Sequence, residues 1–254
     1  VGRRLDNARA LYLEAIRDGN YAEAITTYAG DRYTQHSTPV KDGKDGFIAF
    51  FADFTARNPI RAIDIVRGFE DGRYVFLHVV QDLNDGEHRY VTADIFDTDD
   101  DARLIEHWDI IAELRDTTAS GRGQIDGPTE PTDLDRTDVN KQLVTRFVDE
   151  VLAPGAYDRL AEFVAPEIAQ HSPGVADGIV ALRAFAADAS LRYIERHRIL
   201  GCGSFVAVLA ESERYGRRHA VIDLFRVADG MIAEHWDVTE EITPESTWVN
   251  SGKF

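Results

Sequence analysis

The chain has 254 residues, 28 of them basic and 45 acidic, for a net charge of −17 at pH 7. At roughly 150 residues per domain this length fits one large domain or two small ones. With 44% hydrophobic and 29% charged residues the composition is that of a folded globular protein, and the acidity argues against nucleic acid or an anionic membrane as partner. In chain order, residues 7–17 place Ala8, Leu11 and Ala15 on one helical face before Gly19 stops the pattern. A short helix is predicted over 21–28 behind Asn20, and a third over 44–57, where Phe47, Phe50, Phe51 and Phe54 follow helical spacing up to Pro59. Four strands are predicted next, over 60–69, 73–83, 88–96 and 104–114, punctuated by Asp71-Gly72, Asp85-Gly86 and the run Asp99 to Asp101. Residues 116–138 lack periodicity and are rich in Gly, Pro, Thr and Asp, as a linker would be. Three helices (140–151, 157–164, 179–191) and four strands (193–200, 205–213, 217–227, 231–240) then repeat the order.

The repetition extends to residues. Glu106-His107-Trp108-Asp109 recurs as Glu234-His235-Trp236-Asp237, 128 positions on. Gln35-His36-Ser37 recurs as Gln170-His171-Ser172 at an offset of 135, each followed by Pro, Val, Asp and Gly. Between them Ala93-Asp94-Ile95-Phe96 matches Ile222-Asp223-Leu224-Phe225 at an offset of 129. Three collinear blocks mean one ancestral unit present twice. Helices first and an antiparallel meander afterwards predict an α+β class. The domains expected are 1–115 and 139–254, the second carrying the C-terminal tail, joined by the linker 116–138.

No other nucleophile, metal or phosphate motif competes. The lone Cys202 excludes an intrachain disulfide and a cysteine-rich zinc site. His36, His78, His107 and Asp109 are ligand types without ligand spacing, so neither metal nor cofactor is expected. No apolar run approaches the roughly 20 residues of a bilayer span. No apolar segment follows Val1–Leu5, so a cytoplasmic location is expected, with a removed leader left open by the missing initiator.

The order of N-terminal helices, Gln-His-Ser with a following Pro, a Gly before a Phe-rich helix, and strands ending in Glu-His-Trp-Asp resembles the SnoaL-like polyketide cyclases. These belong to the nuclear transport factor 2-like (NTF2-like) superfamily, alongside ketosteroid isomerase and scytalone dehydratase. The resemblance covers about 6–113 and 138–241. It implies two tandem cone-shaped domains, each a curved antiparallel sheet wrapped around helices and an apolar pocket, packed as an intramolecular pseudo-dimer. It implies cofactor-free acid–base chemistry, in which a pocket carboxylate removes a proton next to a carbonyl. The family's strand-end Asp maps onto Asp109 and Asp237, and its partner on the preceding strand falls near Asp94 and Asp223, where the type enzyme is expected to carry His. Ser37 and Ser172 stand where members often have Asn.

Residue by residue, Asp109 and His107 share a strand face, with Glu106 and Trp108 on the other. Asp109 is expected either as a base whose pKa burial raises, with His107 as partner, or as a strand-end ion pair; Asp237 with His235 repeats the choice. His36 and His171 either line the pocket mouth or cap the turn. His78 is a candidate pocket group, with Val208 as its counterpart. Asp94 and Asp223 need partners on an apolar face, from the pocket or from Arg. Trp108 and Trp236 are assigned to packing between the two halves, and the Phe-rich helix to core, with Phe50 or Phe54 as pocket wall. The expected activity is that of an aldol cyclase, isomerase or lyase acting on a small apolar carbonyl compound, in a monomeric pseudo-dimer or a higher homo-oligomer. The alternative is a non-catalytic ligand-binding module, or a scaffold with filled pockets.

Overall fold

The computed structural model describes residues 2–254 and divides the chain into two units, one of residues up to Leu114 together with Thr243–Phe254, the other of Arg115–Ile242. In the first, helix α1 (Arg3–Tyr12) runs into a wide π-helical turn, Leu13–Arg17, followed by α2 (Tyr21–Tyr28). Strand β1 (Ala29–Gln35) and helix α3 (Gly43–Arg57) precede β2 (Arg61–Asp71), β3 (Tyr74–Leu83), β4 (His88–Thr98) and β5 (Leu104–Glu113). The second unit repeats this with α4 (Thr137–Phe147), a π-helical turn at Val148–Leu152, a 3₁₀ turn at Tyr157–Glu162 and β6 (Val164–Gln170). Helix α5 (Ile179–Asp188) and strands β7 (Arg192–Cys202), β8 (Phe205–Arg214), β9 (Arg217–Ala228) and β10 (Met231–Glu241) complete it.

Each unit is α+β, built on a five-stranded sheet of order β1-β5-β4-β3-β2 or β6-β10-β9-β8-β7. Four strands form the expected antiparallel meander. The fifth, β1 or β6, pairs in parallel with the last strand, so each sheet is mixed. Sequence reading missed this strand because Ala29–Gln35 carries few β-branched residues and its partner lies about 70 positions away, leaving no local hairpin signal. Bulges interrupt β2 at Ile65–Arg67 and β7 at Arg196–Arg198, bending the sheets.

One face of the first sheet packs Val75, Leu77, Val79 and Phe96 against Leu5, Ala8, Leu11, Ile16 and Ile25 of the helices. The second core matches it, with Val206, Val208, Ala210 and Phe225 against Val144, Phe147, Val151 and Leu160. The 3.6-residue period of α1 and α4 faces the 2-residue period of the strands, and what the helices leave uncovered becomes a cavity. Among the described residues no helix is long and apolar enough to cross a membrane.

The tail read from sequence with the second domain groups with the first unit, and part of the stretch read as linker packs into the second. In the first unit Val249 N–H donates to Thr38 O (3.0 Å), and Asn250 Nδ2 to Ser37 O (2.7 Å) and Val40 O (2.9 Å). In the second, Ala119 N–H donates to Pro173 O (3.0 Å) and Ser120 Oγ to Gln170 O (2.6 Å). Polar composition hid these segments, because their order comes from backbone hydrogen bonds to a distant turn.

Candidate functional site

A cavity of about 120 Å³ opens in the first unit between α1, α3 and the sheet. Phe47, Phe50, Phe51 and Phe54 of α3 form one wall, with Leu11, Ile16 and Val40 beside them. The polar lining is Tyr12, Tyr33, Gln35, Ser37, Gln81, Asp94, His107 and Asp109. Strand alternation puts these groups there: Tyr33 and Gln35 share one face of β1, and His107 and Asp109 one face of β5, where β1 and β5 pair Gln35 with His107.

His107 Nδ1 lies 3.0 Å from Gln35 Oε1 and Nε2 lies 3.0 Å from Asp94 Oδ1. Since the amide oxygen only accepts, Nδ1 carries a proton, and the Nε2–Asp94 contact holds a second one. The Thr92 hydroxyl donates to Asp94 Oδ2 (2.7 Å) and meets Tyr12 OH at 3.0 Å, and Gln81 Nε2 donates to Tyr12 OH at 2.8 Å. Burial pushes the Asp94 carboxyl above its usual value against the opposing pull of His107 and Thr92.

Asp109 behaves oppositely. Burial raises its carboxyl, but Lys253, His107 and Ser37 together outweigh that and hold it below the usual 3.8. The expectation of a base raised by desolvation is thus corrected, because a buried ammonium faces the carboxylate: Lys253 Nζ lies 3.3 Å from Asp109 Oδ1 and 3.0 Å from its carbonyl oxygen. Two carboxylates in one cavity are driven apart, one toward the acid and one toward the anion.

Tyr33 was not singled out from sequence. Its hydroxyl is buried, lines the cavity and has no hydrogen-bond partner among the described residues. Burial, with Asp94 and Asp109 nearby, pushes the phenol far above its usual value, so it stays a donor. Reading 29–35 as a strand would have found it, two residues before Gln35.

The other candidates lie elsewhere. His36 points to the opposite face of β1 and caps: its ring stacks on Trp108 at 4.9 Å, Nε2 meets Glu106 Oε1 at 2.9 Å, and Nδ1 donates to Gly252 O at 2.7 Å. His171 does the same with Trp236, Glu234 and Gly123 O. The two Trp residues therefore pack on these histidines within their own units. His78 is buried but does not line the cavity; its Nδ1 accepts from Arg67 at 3.0 Å. Its counterpart is Leu209 rather than Val208, since Leu77 and Val208 are the residues paired with Asp94 and Asp223.

The second unit repeats the Gln-His-Asp relay, with His235 Nδ1 2.8 Å from Gln170 Oε1 and Nε2 2.9 Å from Asp223 Oδ1. Its cavity is only about 30 Å³. Phe147, Ile168 and Val221 stand at the positions of Tyr12, Tyr33 and Thr92. Tyr193 OH donates to Asp223 Oδ2 (2.6 Å), and Arg214 Nη1 to Asp237 Oδ2 (3.1 Å). Burial raises the Asp237 carboxyl, but Arg214 and His235 more than offset it and hold it low. Among the described residues no group of three or more His, Cys, Asp or Glu side chains gathers as metal ligands.

Fold and site together define a duplicated α+β domain enclosing a carboxylate-lined apolar cavity. Residues 144–235 match the SnoaL-like domain family. A candidate ketosteroid isomerase from Kribbella flavida DSM 17836 is similar over 43% of this chain and 83% of its own, at 18% identity and a TM-score of 0.38. An NTF2-like protein of unknown function from Cytophaga hutchinsonii ATCC 33406 is similar over 45% and 95%, at 16% identity and a TM-score of 0.37. IdmH, a candidate polyketide cyclase from Streptomyces antibioticus, is similar over 40% and 91%, at 18% identity and a TM-score of 0.33. No curated protein matches the chain. The SnoaL-like match falls within the second unit, and the first unit repeats that unit's strand order and its Gln-His-Asp relay.

Proposed function

We propose that the first unit is a cofactor-free acid–base catalyst of the aldol cyclase, isomerase or lyase type, acting on a small, largely apolar carbonyl compound. The observation that carries this reading is the Tyr33 hydroxyl, a buried donor without a partner, in the same apolar cavity as an anionic Asp109 and a proton-holding Asp94–His107 pair. A carbonyl oxygen hydrogen-bonded to Tyr33 sets its adjacent C–H against the Asp109 carboxylate. Asp109 takes that proton, and the electron pair moves onto the oxygen as an enolate, which Tyr33 stabilises. The carbanion then attacks an internal carbonyl or is reprotonated at another carbon, and the proton returns from Asp109 or from Asp94.

A carboxylate held low is a weak base, so the carbon acid must already be activated, as between two carbonyl groups. The second unit fits the non-catalytic alternative: its cavity has room for about a water or two, and its carboxylates are tied to Arg214 and Tyr193.

Asp109→Asn tests the reading. Turnover of an enolisable dicarbonyl should fall by about 10²–10⁴-fold, and Asp237→Asn should leave it near the wild-type value. Unchanged turnover in Asp109→Asn, with the fold intact by circular dichroism, would sink the assignment.

A further inference from the structure

We propose that Lys253, brought into the first unit by the C-terminal tail, is a positioning residue that supplies the counter-charge to Asp109, so that the cavity's chemistry is complete only with the tail docked. The inference rests on the reading of Asp109 as the reacting carboxylate.

The tail is built to deliver this side chain. Val249 and Asn250 are pinned to the turn after β1, Gly252 N–H donates to Asn250 Oδ1 (2.9 Å), and Gly252 O receives His36 Nδ1 (2.7 Å). Gly252 sits at φ +98°, and a Cβ there would run into the Trp248 ring, so a glycine is required at this bend. The next residue, Lys253, is 4% exposed, and its ammonium reaches both the carbonyl and the carboxylate of Asp109.

The second unit is the internal control. There Gly123 O receives His171 Nδ1 as Gly252 O receives His36 Nδ1, and the following residue is Gln124, also buried. Gly123 and Gly252 lie 129 positions apart, as do Asp94 and Asp223. With no lysine in that slot, the cation for Asp237 comes from Arg214 on β8. Each buried strand-end carboxylate is paired with a lysine or an arginine, reached by different routes, which offsets the cost of burying its charge. Gln124 turns instead to Arg115, its Oε1 accepting from the backbone N–H, so the residue after the glycine brings a cation to the strand-end carboxylate in the first unit and not in the second.

The other groups facing Asp109 are His107 on its own strand, Ser37 after β1, Tyr33 on β1, Asp94 on β4 and Tyr12 on α1. All belong to the sheet, its turn or a core helix; Lys253 alone arrives on the tail.

The test is a ¹³C carboxyl NMR titration of Asp109 in the full chain, its resonance assigned by loss in Asp109→Asn. Lys253→Gln imitates the second unit, and even if it frees the tail the cation is removed. In Lys253→Gln the Asp109 titration should move up by about one unit or more, while Lys253→Arg should stay near the wild type. A Gln variant that titrates as the wild type does, or Gln and Arg variants displaced equally, would overturn the inference. The measurement needs no substrate, so failure of the proposed activity would appear separately, in the turnover of Asp109→Asn.

Discussion

Asp94 Oδ1 and His107 Nε2 stand 3.0 Å apart, and the same contact recurs between Asp223 and His235 at 2.9 Å. The relay is therefore a property of the repeated unit, while the cavity around it differs. In the first unit Tyr12, Tyr33, Thr92 and Gln81 make a polar wall next to the relay. In the second, apolar residues replace three of these and Arg214 enters the lining. The two copies share the relay and differ in the space beside it, about 120 Å³ against about 30 Å³.

Tyr33→Phe separates stability from chemistry. The hydroxyl is buried and unpartnered, so its loss relieves a desolvation cost and the melting temperature should hold or rise slightly. Turnover should fall by about 10²-fold with the loss of a donor to the developing oxyanion. A large drop in melting temperature would mean the hydroxyl serves the fold.

Asp94 gives the fold an unusual pH dependence. Its folded carboxyl lies above the ordinary 3.8, so between those two values the folded state holds more protons than the unfolded state. Stability from this group therefore falls as pH rises through that window, and the penalty is full above it. Asp94→Asn keeps a neutral amide in the same contacts, so its stability relative to wild type should increase with pH in urea unfolding at pH 4–8. A pH-independent difference would contradict the raised carboxyl. Asp109 and Asp237 have the opposite sign: their contribution is present above 3.8 and lost as pH falls through their lowered values.

Gly252→Ala should loosen the tail. The bend at positive φ and the Trp248 ring both oppose a side chain, at about 1–2 kcal/mol for the backbone alone. Hydrogen exchange at Val249 and Gly252 should speed up, while amides of β3 and β4 keep wild-type protection. Unchanged exchange in the tail would show that the bend is not strained.

Ligand occupancy should be unequal. A cavity near 120 Å³ is close to the roughly 150 Å³ that takes a benzene ring, and one near 30 Å³ is not. A small aromatic ketone should shift the methyl resonances of Leu11, Ile16 and Val40 and leave those of Leu182 and Leu191 in place. Equal shifts in both sets would remove the distinction between the units.

Local pattern alone determined a good deal. The repeat of Glu-His-Trp-Asp and Gln-His-Ser, the helix and strand periods, and the turn glycines fixed two α+β units and put Asp109, His107 and Asp94 on cavity-facing positions, because alternation along a strand is a property of neighbours. Tertiary structure decided what neighbours cannot encode. Parallel pairing of β1 with β5 turned Gln35 and Tyr33 inward and His36 outward, and sheet register made Leu209 the partner position of His78. The Asp109 carboxylate meets a lysine 144 positions away in sequence. A carboxylate's charge state is set by the groups within a few ångströms of it, and only the folded chain brings the tail that close.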